Sequence, residues 1–356
     1  MWKRRAQRTV IITIAILVVA AAAAAWLWRD RPSLENIEWE APVITTVSAT
    51  DTVTMTWLGV TTLLFDDGET QILIDGFFSR PSLSDILLRR PVDNDAAIIN
   101  YALDEYRMRR LAAIIPVHSH FDHAMDIGAI ANRTSASILG SPSSIEIARG
   151  AGVPEDQMIL VSGRETYEFG RFEVTLIPSQ HAPVGLRGSI PFAGNIDMPV
   201  TMPQPVNALR EGGSFSVIIA HPQGTAVVQG SAGYSDDALN GIAADVVMLS
   251  VGGLETLGMD YAQRYWQALV TSTGARSVYP IHFDDFTKPF GEIVPGPRFL
   301  GDLEITVRWF ESLRDLWDKD TELFLPEFGA PIAVYVQPLI GPESEPEPES
   351  EAASAP

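Results

Sequence analysis

The hexapeptide at residues 118–123 reads His-Ser-His-Phe-Asp-His and contains three of the chain's six histidines. His118 and His120 are two positions apart, so in extended chain their side chains project to the same side and can share one ion. Asp122 and His123 lie one step further along and can reach a neighbouring ion. Three imidazole nitrogens around zinc leave a fourth position for a water, and the ion lowers the pKa of that water toward about 7. The spacing therefore predicts a metal site that provides a metal-bound hydroxide for hydrolysis.

Two of the remaining histidines also follow apolar runs that are typical of strands. His181 comes just after the run 172–178, and His282 comes just after 277–281. Functional sites collect where strands end, because loops converge there over a rigid scaffold. His221 differs, because it opens a His-Pro-Gln-Gly turn between two strands and is predicted to belong to a hairpin. Five histidines and one aspartate thus form the candidate site.

Other kinds of catalytic site find no support in the sequence. The chain has no cysteine, which excludes a thiolate nucleophile. No Gly-x-Ser-x-Gly elbow is present, and a Ser/His/Asp triad would need a histidine that is already assigned to metal. No phosphate-binding glycine loop occurs, so a nucleotide cofactor is unsupported.

The elements around these residues are readable from their hydrophobic patterns. The buried run 111–117 predicts the strand that delivers the hexapeptide, and 71–76 predicts a hairpin strand that ends in Asp75. Helical spacing of apolar residues predicts a helix from Asp95 to Arg110, with its apolar face in the core.

These motifs together resemble the metallo-β-lactamase fold family of metal-dependent hydrolases, from about Val53 to about Val336. The likeness rests on the hexapeptide, on the two later histidines and on the strands before them. The piece 279–286 is similar to the C-terminal motif of a branch that contains sugar-phosphate lactonases and N-acyl phosphatidylethanolamine phospholipase D. The resemblance implies an α+β fold, an αββα sandwich of two mixed β-sheets flanked by helices, here preceded by one transmembrane helix.

The resemblance also implies roles for individual residues. It assigns one metal to His118, His120 and His181, and a second metal to Asp122, His123 and His282. Asp122 would in addition act in catalysis, by orienting the nucleophile and taking up its proton.

One position departs from the family pattern. Many hydrolases of the family carry an aspartate that bridges both metals, and Ser231 stands at the matching place. A serine hydroxyl stays protonated near neutral pH and is a poor ligand. A subclass of true metallo-β-lactamases also lacks the bridging carboxylate, so the number of bound ions, one or two, remains open. Zinc is the expected metal, with Mn²⁺ or Fe²⁺ as alternatives. Asp284 or Asp285 could compensate as a ligand, or could support the ligands from outside.

The N-terminus predicts the compartment. Residues 10–28 are apolar except for Thr13, long enough to cross a bilayer as one helix, and four basic residues precede them. The basic end is expected to stay in the cytoplasm, with the catalytic domain in the periplasm or outside the cell. The small residues of Ala20–Ala25 leave signal-peptide cleavage and secretion as the alternative.

The sequence also predicts where the parts of the chain begin and end. We expect a cytoplasmic stub and anchor at 1–31, a linker at 32–52, the hydrolase domain at 53–340 and a disordered acidic tail at 341–356.

The net charge is −20, and most of it belongs to the body. Such a surface repels phosphate backbones, so nucleic acid is not an expected partner. The expected partners are a small-molecule or lipid-like substrate and the membrane.

The segment from Ala182 to Ser214 is over thirty residues long, has little periodicity and starts at His181. A loop of this length is uncommon unless it is functional, so we interpret it as a lid or pocket wall. A crossover packed on the sandwich is the alternative. Its candidate lining residues are Leu186, Ile190, Phe192, Ile196 and Met198.

The sequence thus predicts a membrane-anchored, metal-dependent hydrolase that cleaves an ester-like, lactone or phosphoester bond. A β-lactamase is one alternative, and a metal-binding module without turnover is another.

Overall fold

A computed structural model describes residues 2–39 and 52–335 of the chain. Its first element is the helix α1 (Trp2–Arg29), whose apolar side chains are exposed. Within it, Gln7–Arg29 is long and apolar enough to cross a membrane, by length and composition alone. The predicted apolar N-terminal helix is therefore present, either as a membrane span or as a signal sequence.

Two seven-stranded sheets form the body within the described residues. Their strands are β1 (Thr54–Trp57), β2 (Leu63–Asp66), β3 (Gln71–Ile74), β4 (Leu111–Ile115), β5 (Ser137–Gly140), β6 (Met158–Leu160), β7 (Thr166–Phe169), β8 (Phe172–Ser179), β9 (Ser214–His221), β10 (Gly224–Gln229), β11 (Val246–Ser250), β12 (Ser277–Ile281), β13 (Glu322–Leu323) and β14 (Pro331–Ala333). The first sheet has the order β14-β1-β2-β3-β4-β5-β6, and the second has the order β13-β12-β11-β10-β9-β8-β7.

Both sheets are mixed. Strands β1 to β3 form antiparallel pairs and β3 to β6 are parallel, while the second sheet is antiparallel from β7 to β10 and parallel from β10 to β13. The central strands are buried on both faces, as continuous Val/Ile/Leu runs predict.

The helices are α2 (Leu83–Leu87), α3 (Ala96–Glu105), α4 (Phe121–Ala124), α5 (Ile127–Thr134), α6 (Pro142–Gly150), α7 (Met259–Trp266), which continues as a π-turn over Gln267–Thr271, and α8 (Leu303–Trp317). Asp95 caps α3 by accepting from Ala97 N and Ile98 N. The helix predicted over 95–110 ends five residues early, because Arg107 has a φ of 50° and the chain turns there into β4.

The core has two layers. One cluster lies between the sheets, with Trp57 and Phe172, and continues to the helices of the second sheet, with Trp266 and Phe310. The other lies between the first sheet and its helices and includes Ile99. Helices on the outer faces of two packed sheets make this the αββα sandwich that the sequence predicts.

The chain after α1 is attached to this body. Ser33 N donates a hydrogen bond of 3.0 Å to Glu304 Oε1, and Trp39 Nε1 donates one of 2.8 Å to Glu311 Oε1. The first residues of the predicted linker therefore lie along α8. The rest of that linker and the acidic tail fall outside the described residues.

Candidate metal centre

The hexapeptide lies at the junction of β4 and α4. Val117 N donates to Asp75 Oδ1 at 2.8 Å, which fixes the chain as it leaves the strand. His120 is the residue before α4, so Asp122 and His123 lie in the first helical turn. A strand end followed at once by a helix start thus places four polar side chains at one edge of the first sheet.

His118, His120 and His181 form the first cluster, with one nitrogen of each within 4.8 Å of the others. His118 Nε2 and His120 Nδ1 are 3.0 Å apart. The opposite nitrogens are held by carbonyls, because His120 Nε2 donates to the oxygen of Pro191 and His181 Nδ1 donates to that of Ala182, both at 2.8 Å. These bonds fix the tautomers and leave lone pairs facing the cluster centre.

The first cluster fits a metal cation. His118 is buried, and its Nδ1 has no hydrogen-bond partner among the described residues. Burial holds the pKa of His118 well below its ordinary value and lowers the pKa of His181 to about 4. The imidazoles are therefore neutral near pH 7 and offer nitrogen lone pairs, the form in which histidine binds metals.

Asp122, His123 and His282 form the second cluster. Asp122 Oδ2 lies 3.4 Å from His282 Nε2 and 3.7 Å from His123 Nε2. Burial alone would raise the pKa of Asp122, but the adjacent His123 and the hydrogen bond from His282 outweigh it and hold that pKa below its usual range. A buried carboxylate with two imidazoles is a donor set that suits zinc or iron.

The two clusters touch each other. The rings of His118 and His123 have centroids 3.9 Å apart, and those of His123 and His282 are 5.2 Å apart. All six residues that the sequence singled out as ligands are thus brought to one place. Among the described residues, these are the two groups of three or more side chains that could hold an ion.

Asp75 supports the second cluster, a contact that sequence reasoning missed. Its Oδ2 accepts a hydrogen bond of 2.7 Å from His123 Nδ1, which leaves His123 Nε2 free to face Asp122. The backbone there is left-handed, with a φ of 58°. The sequence showed Asp75 only as the end of a strand, and the partner lies 48 residues away.

Ser231 lies next to the centre without joining either cluster. Its Oγ accepts a hydrogen bond of 2.8 Å from Ala182 N, the residue after His181. The serine therefore fixes the backbone that presents His181.

Asp284 and Asp285 are engaged outside the clusters. Asp284 Oδ1 accepts from Val60 N at 2.7 Å and its Oδ2 lies 3.3 Å from Arg80 Nη1. Asp285 Oδ2 pairs with Arg31 Nη2 at 2.6 Å. Both carboxylates hold the loop that follows His282.

His221 is the last residue of β9 and pairs with Gly224 across the turn, so the predicted hairpin is confirmed. Its Nδ1 accepts from Gln223 N at 3.2 Å, and its Nε2 is 3.6 Å from Asp67. It belongs to neither cluster.

The segment 182–213 partly covers the first cluster. The ring of Phe192 lies 6.1 Å from that of His120, beside the Pro191 carbonyl. Ile196 is buried in the helix-side core instead, while Leu186 and Met198 are exposed. The segment therefore combines a wall over the centre with a stretch packed on α6.

Comparisons with known proteins identify the family. The model of the beta-lactamase superfamily domain matches residues 54–282. A UPF0173 metal-dependent hydrolase from Pyrobaculum islandicum is 25% identical over 235 residues, 65% of this chain and 84% of that protein. One from Methylacidiphilum infernorum is 26% identical over 223 residues, 62% of this chain and 79% of that protein. The crystal structure of a possible metal-dependent hydrolase from Veillonella parvula, 16% identical, covers 79% of this chain and 99% of that one, with a TM-score of 0.49.

The family match spans more than half of the chain and includes all six candidate ligands. The chain belongs to the beta-lactamase superfamily, and it is a metal-dependent hydrolase of the metallo-β-lactamase fold.

Proposed function

We propose that this hydrolase is anchored in a membrane by α1 and cleaves an ester-like, lactone or phosphoester bond outside the cytoplasm. Zinc is the metal we assign, with Mn²⁺ or Fe²⁺ as alternatives. His118, His120 and His181 would hold one ion, and Asp122, His123 and His282 would hold the second. The observation that carries the proposal is the contact between the two clusters: the rings of His118 and His123 have centroids 3.9 Å apart, and Asp122 Oδ2 lies 3.7 Å from His123 Nε2.

When bound, the ions supply Lewis acidity, which activates water and polarises the oxygen of the scissile group. The chain's own groups do the rest. Asp122 is ionised, because its pKa is held low, so its carboxylate can accept a hydrogen bond from a water and orient it. The carbonyls of Pro191 and Ala182 fix the rings of His120 and His181. The ring of Phe192 lies beside the first cluster, 6.1 Å from that of His120.

The test is a panel of chromogenic substrates given to the purified full-length protein: a nitrophenyl ester, an aromatic lactone, a nitrophenyl phosphodiester and a cephalosporin. We expect turnover of at least one of the first three. His118→Ala should lose both turnover and bound metal, whereas His221→Ala, a matched histidine outside the clusters, should keep both. Metal content is measured by elemental analysis.

The other outcomes decide against the proposal. Turnover of the cephalosporin alone would identify a β-lactamase. Full metal occupancy with no turnover of any panel member would indicate a binding module. Metal well below one equivalent per chain would contradict the site itself.

A further inference from the structure

A cavity of about 550 Å³ lies beside the stretch of chain that follows His181. Its lining residues are Pro183, Val184, Gly185, Leu186, Arg187, Gly188, Thr256, Leu257, Phe299 and Leu300. One wall starts two residues after His181. Val184 on this wall lies against Gly253, where an added Cβ would be 2.8 Å from Val184 Cγ1. A Cβ added at the preceding Gly252 would be 3.0 Å from His282 Nδ1. The cavity is thus close along the chain to His181 and close in space to the turn that contacts His282.

Three apolar side chains on the rim of this cavity are exposed to solvent, next to the exposed Arg187. Leu186 is 87% exposed, and Phe299 and Leu300 are 49% and 50% exposed. Single exposed apolar residues are ordinary on soluble proteins, but three of them around one cavity form a patch of the kind that marks a binding surface.

The rim lies beside the end of α1. The ring of Phe299 is 6.0 Å from that of Trp28, and Arg298 N donates a hydrogen bond of 2.9 Å to Asp30 O. At 1.5 Å per residue, the 23-residue apolar stretch Gln7–Arg29 is about 34 Å long, close to the hydrocarbon thickness of a bilayer. Trp28 would therefore lie at the membrane–water interface, and Phe299 at the same depth.

The body has little freedom to turn away from this position. Arg31 Nη1 donates to Pro295 O and its Nη2 pairs with Asp285, both at 2.6 Å. Ser33 N and Asn36 Nδ2 both donate to Glu304 Oε1. Four contacts within seven residues of the helix end fix the orientation of the body relative to α1.

We infer that Leu186, Phe299 and Leu300 contact the surface of the bilayer that α1 crosses, and that the cavity admits the apolar chain of a membrane amphiphile. The inference rests on the proposed membrane anchor and deepens the proposed function. The substrate would be an amphiphile whose cleavable group reaches the metal centre while its apolar chain fills the cavity.

The test is photolabelling of the full-length protein in phosphatidylcholine vesicles. The probe is a phosphatidylcholine with a diazirine at the end of one acyl chain, and labelled peptides are mapped by mass spectrometry. In an undisturbed bilayer the end of the chain meets the middle of α1. Label on residues 183–188 or 256–257 therefore requires the chain to enter the cavity. The readout needs neither metal nor turnover, so it is independent of the hydrolysis assay.

Two matched variants complete the experiment. Leu186→Glu puts a carboxylate on the rim and should lower cavity labelling by roughly an order of magnitude, since charge at the membrane is costly. Leu316→Glu changes another exposed leucine, 64% exposed, near the far end of α8, about 20 Å from the start of that helix, and should leave labelling unchanged.

Each pattern of labelling either supports or overturns the inference. Label in α1 and in the cavity is the expected result. Label in α1 alone overturns the inference and leaves the anchor standing, while label in neither overturns both. Cavity labelling that Leu186→Glu does not reduce would show that the rim does not contact the bilayer.

Discussion

Arg31 and Asp285 form an ion pair of 2.6 Å that joins the end of α1 to the loop after His282. Asp284, the residue before Asp285, accepts a hydrogen bond from Val60 N. Val60 O in turn accepts a hydrogen bond of 2.9 Å from His282 N. His282 itself has a left-handed φ of 59°. The segment that leaves the proposed anchor thus braces the loop carrying a candidate ligand of the second ion.

Replacing Arg31 should therefore weaken the second metal site. Arg31→Ala leaves the carboxylate of Asp285 buried and without its partner, which costs on the order of 3 kcal/mol in the free energy of unfolding. We expect lower second-ion affinity in chelator competition and a lower melting temperature. Arg29→Ala, an exposed neighbour, is the control. Equal metal affinity in the two variants would show that the ion pair does not position His282.

Asp75→Asn should weaken the same site by another route. Asp75 accepts from both Val117 N and His123 Nδ1, and the amide has only one acceptor oxygen, so the variant loses one of these two bonds and holds the ring less firmly. Loss of such a partner typically lowers metal affinity about 10- to 100-fold. Chelator competition should show this loss for the second ion and a much smaller one for the first. Equal losses at both ions would contradict the assignment of His123 to the second cluster.

The local part of the site was predictable from sequence, and its supports were not. Each candidate ligand follows a strand, and strand ends can be read from apolar runs. The partners of Asp75, Asp285 and His120 lie 48, 254 and 71 residues away along the chain. Nothing in the local pattern of these residues indicates which distant group they meet. One of the partners is the backbone carbonyl of Pro191. Every residue has a backbone carbonyl, so the residue type at 191 does not indicate this contact.

The fold was predictable for a similar reason. Buried strands and hairpin turns have local patterns, so individual strands and the hairpin at His221 were predictable from their residues, while the arrangement in two sheets was implied by the family resemblance. The end of α3 could not be predicted from the sequence, because apolar spacing continues past Glu105 while Arg107 adopts a left-handed conformation. For the segment 182–214, each of the two interpretations holds for one part. Phe192 lies beside His120 as part of a pocket wall, and Ile196 is buried in the core as part of a packed crossover.

Ser231→Asp should strengthen the second ion if the serine faces the centre. Ser231 now accepts from Ala182 N, and a carboxylate could keep that bond with one oxygen and offer the other to metal. We expect higher occupancy of the second site in chelator competition. Ser231→Ala is the control, because it removes the bond to Ala182 without adding a ligand. Unchanged second-ion affinity in Ser231→Asp would place residue 231 out of reach of the metals.

Metal removal should make stability strongly dependent on pH. Burial lowers the pKa of His181 to about 4 and that of His123 to about 3, against about 6.5 in the unfolded chain. The unfolded state therefore binds protons first as pH falls, and the native state loses stability from about pH 6.5 down toward pH 4. The raised pKa of His282, whose hydrogen bond to Asp122 outweighs its burial, opposes this effect in part.

The measurement is thermal unfolding of chelator-treated protein at pH 7 and pH 5. The melting temperature should fall at the lower pH, and it should fall less in His181→Gln, which removes one of the titrating groups. An equal fall in both proteins would show that His181 is not buried as a neutral imidazole.

The topology of α1 predicts where the reaction takes place. Four basic residues precede Val10, and the apolar stretch ends at Arg29, so the N-terminus should lie in the cytoplasm and the body outside it. We expect the full-length protein to pellet with membranes, to resist salt extraction and to need detergent.

Alkaline phosphatase fused after Pro356 checks the orientation in a bacterial host, because that enzyme folds only in an oxidising compartment. The phosphatase should be active, and a reporter that needs the cytoplasm should be inactive when fused at the same position. The reverse pattern would overturn the orientation. A released body that begins near Trp26 would instead establish signal-peptide cleavage. In that case Arg31 and Ser33 would still hold the new N-terminus against the body, and the metal centre should keep its ions without the membrane.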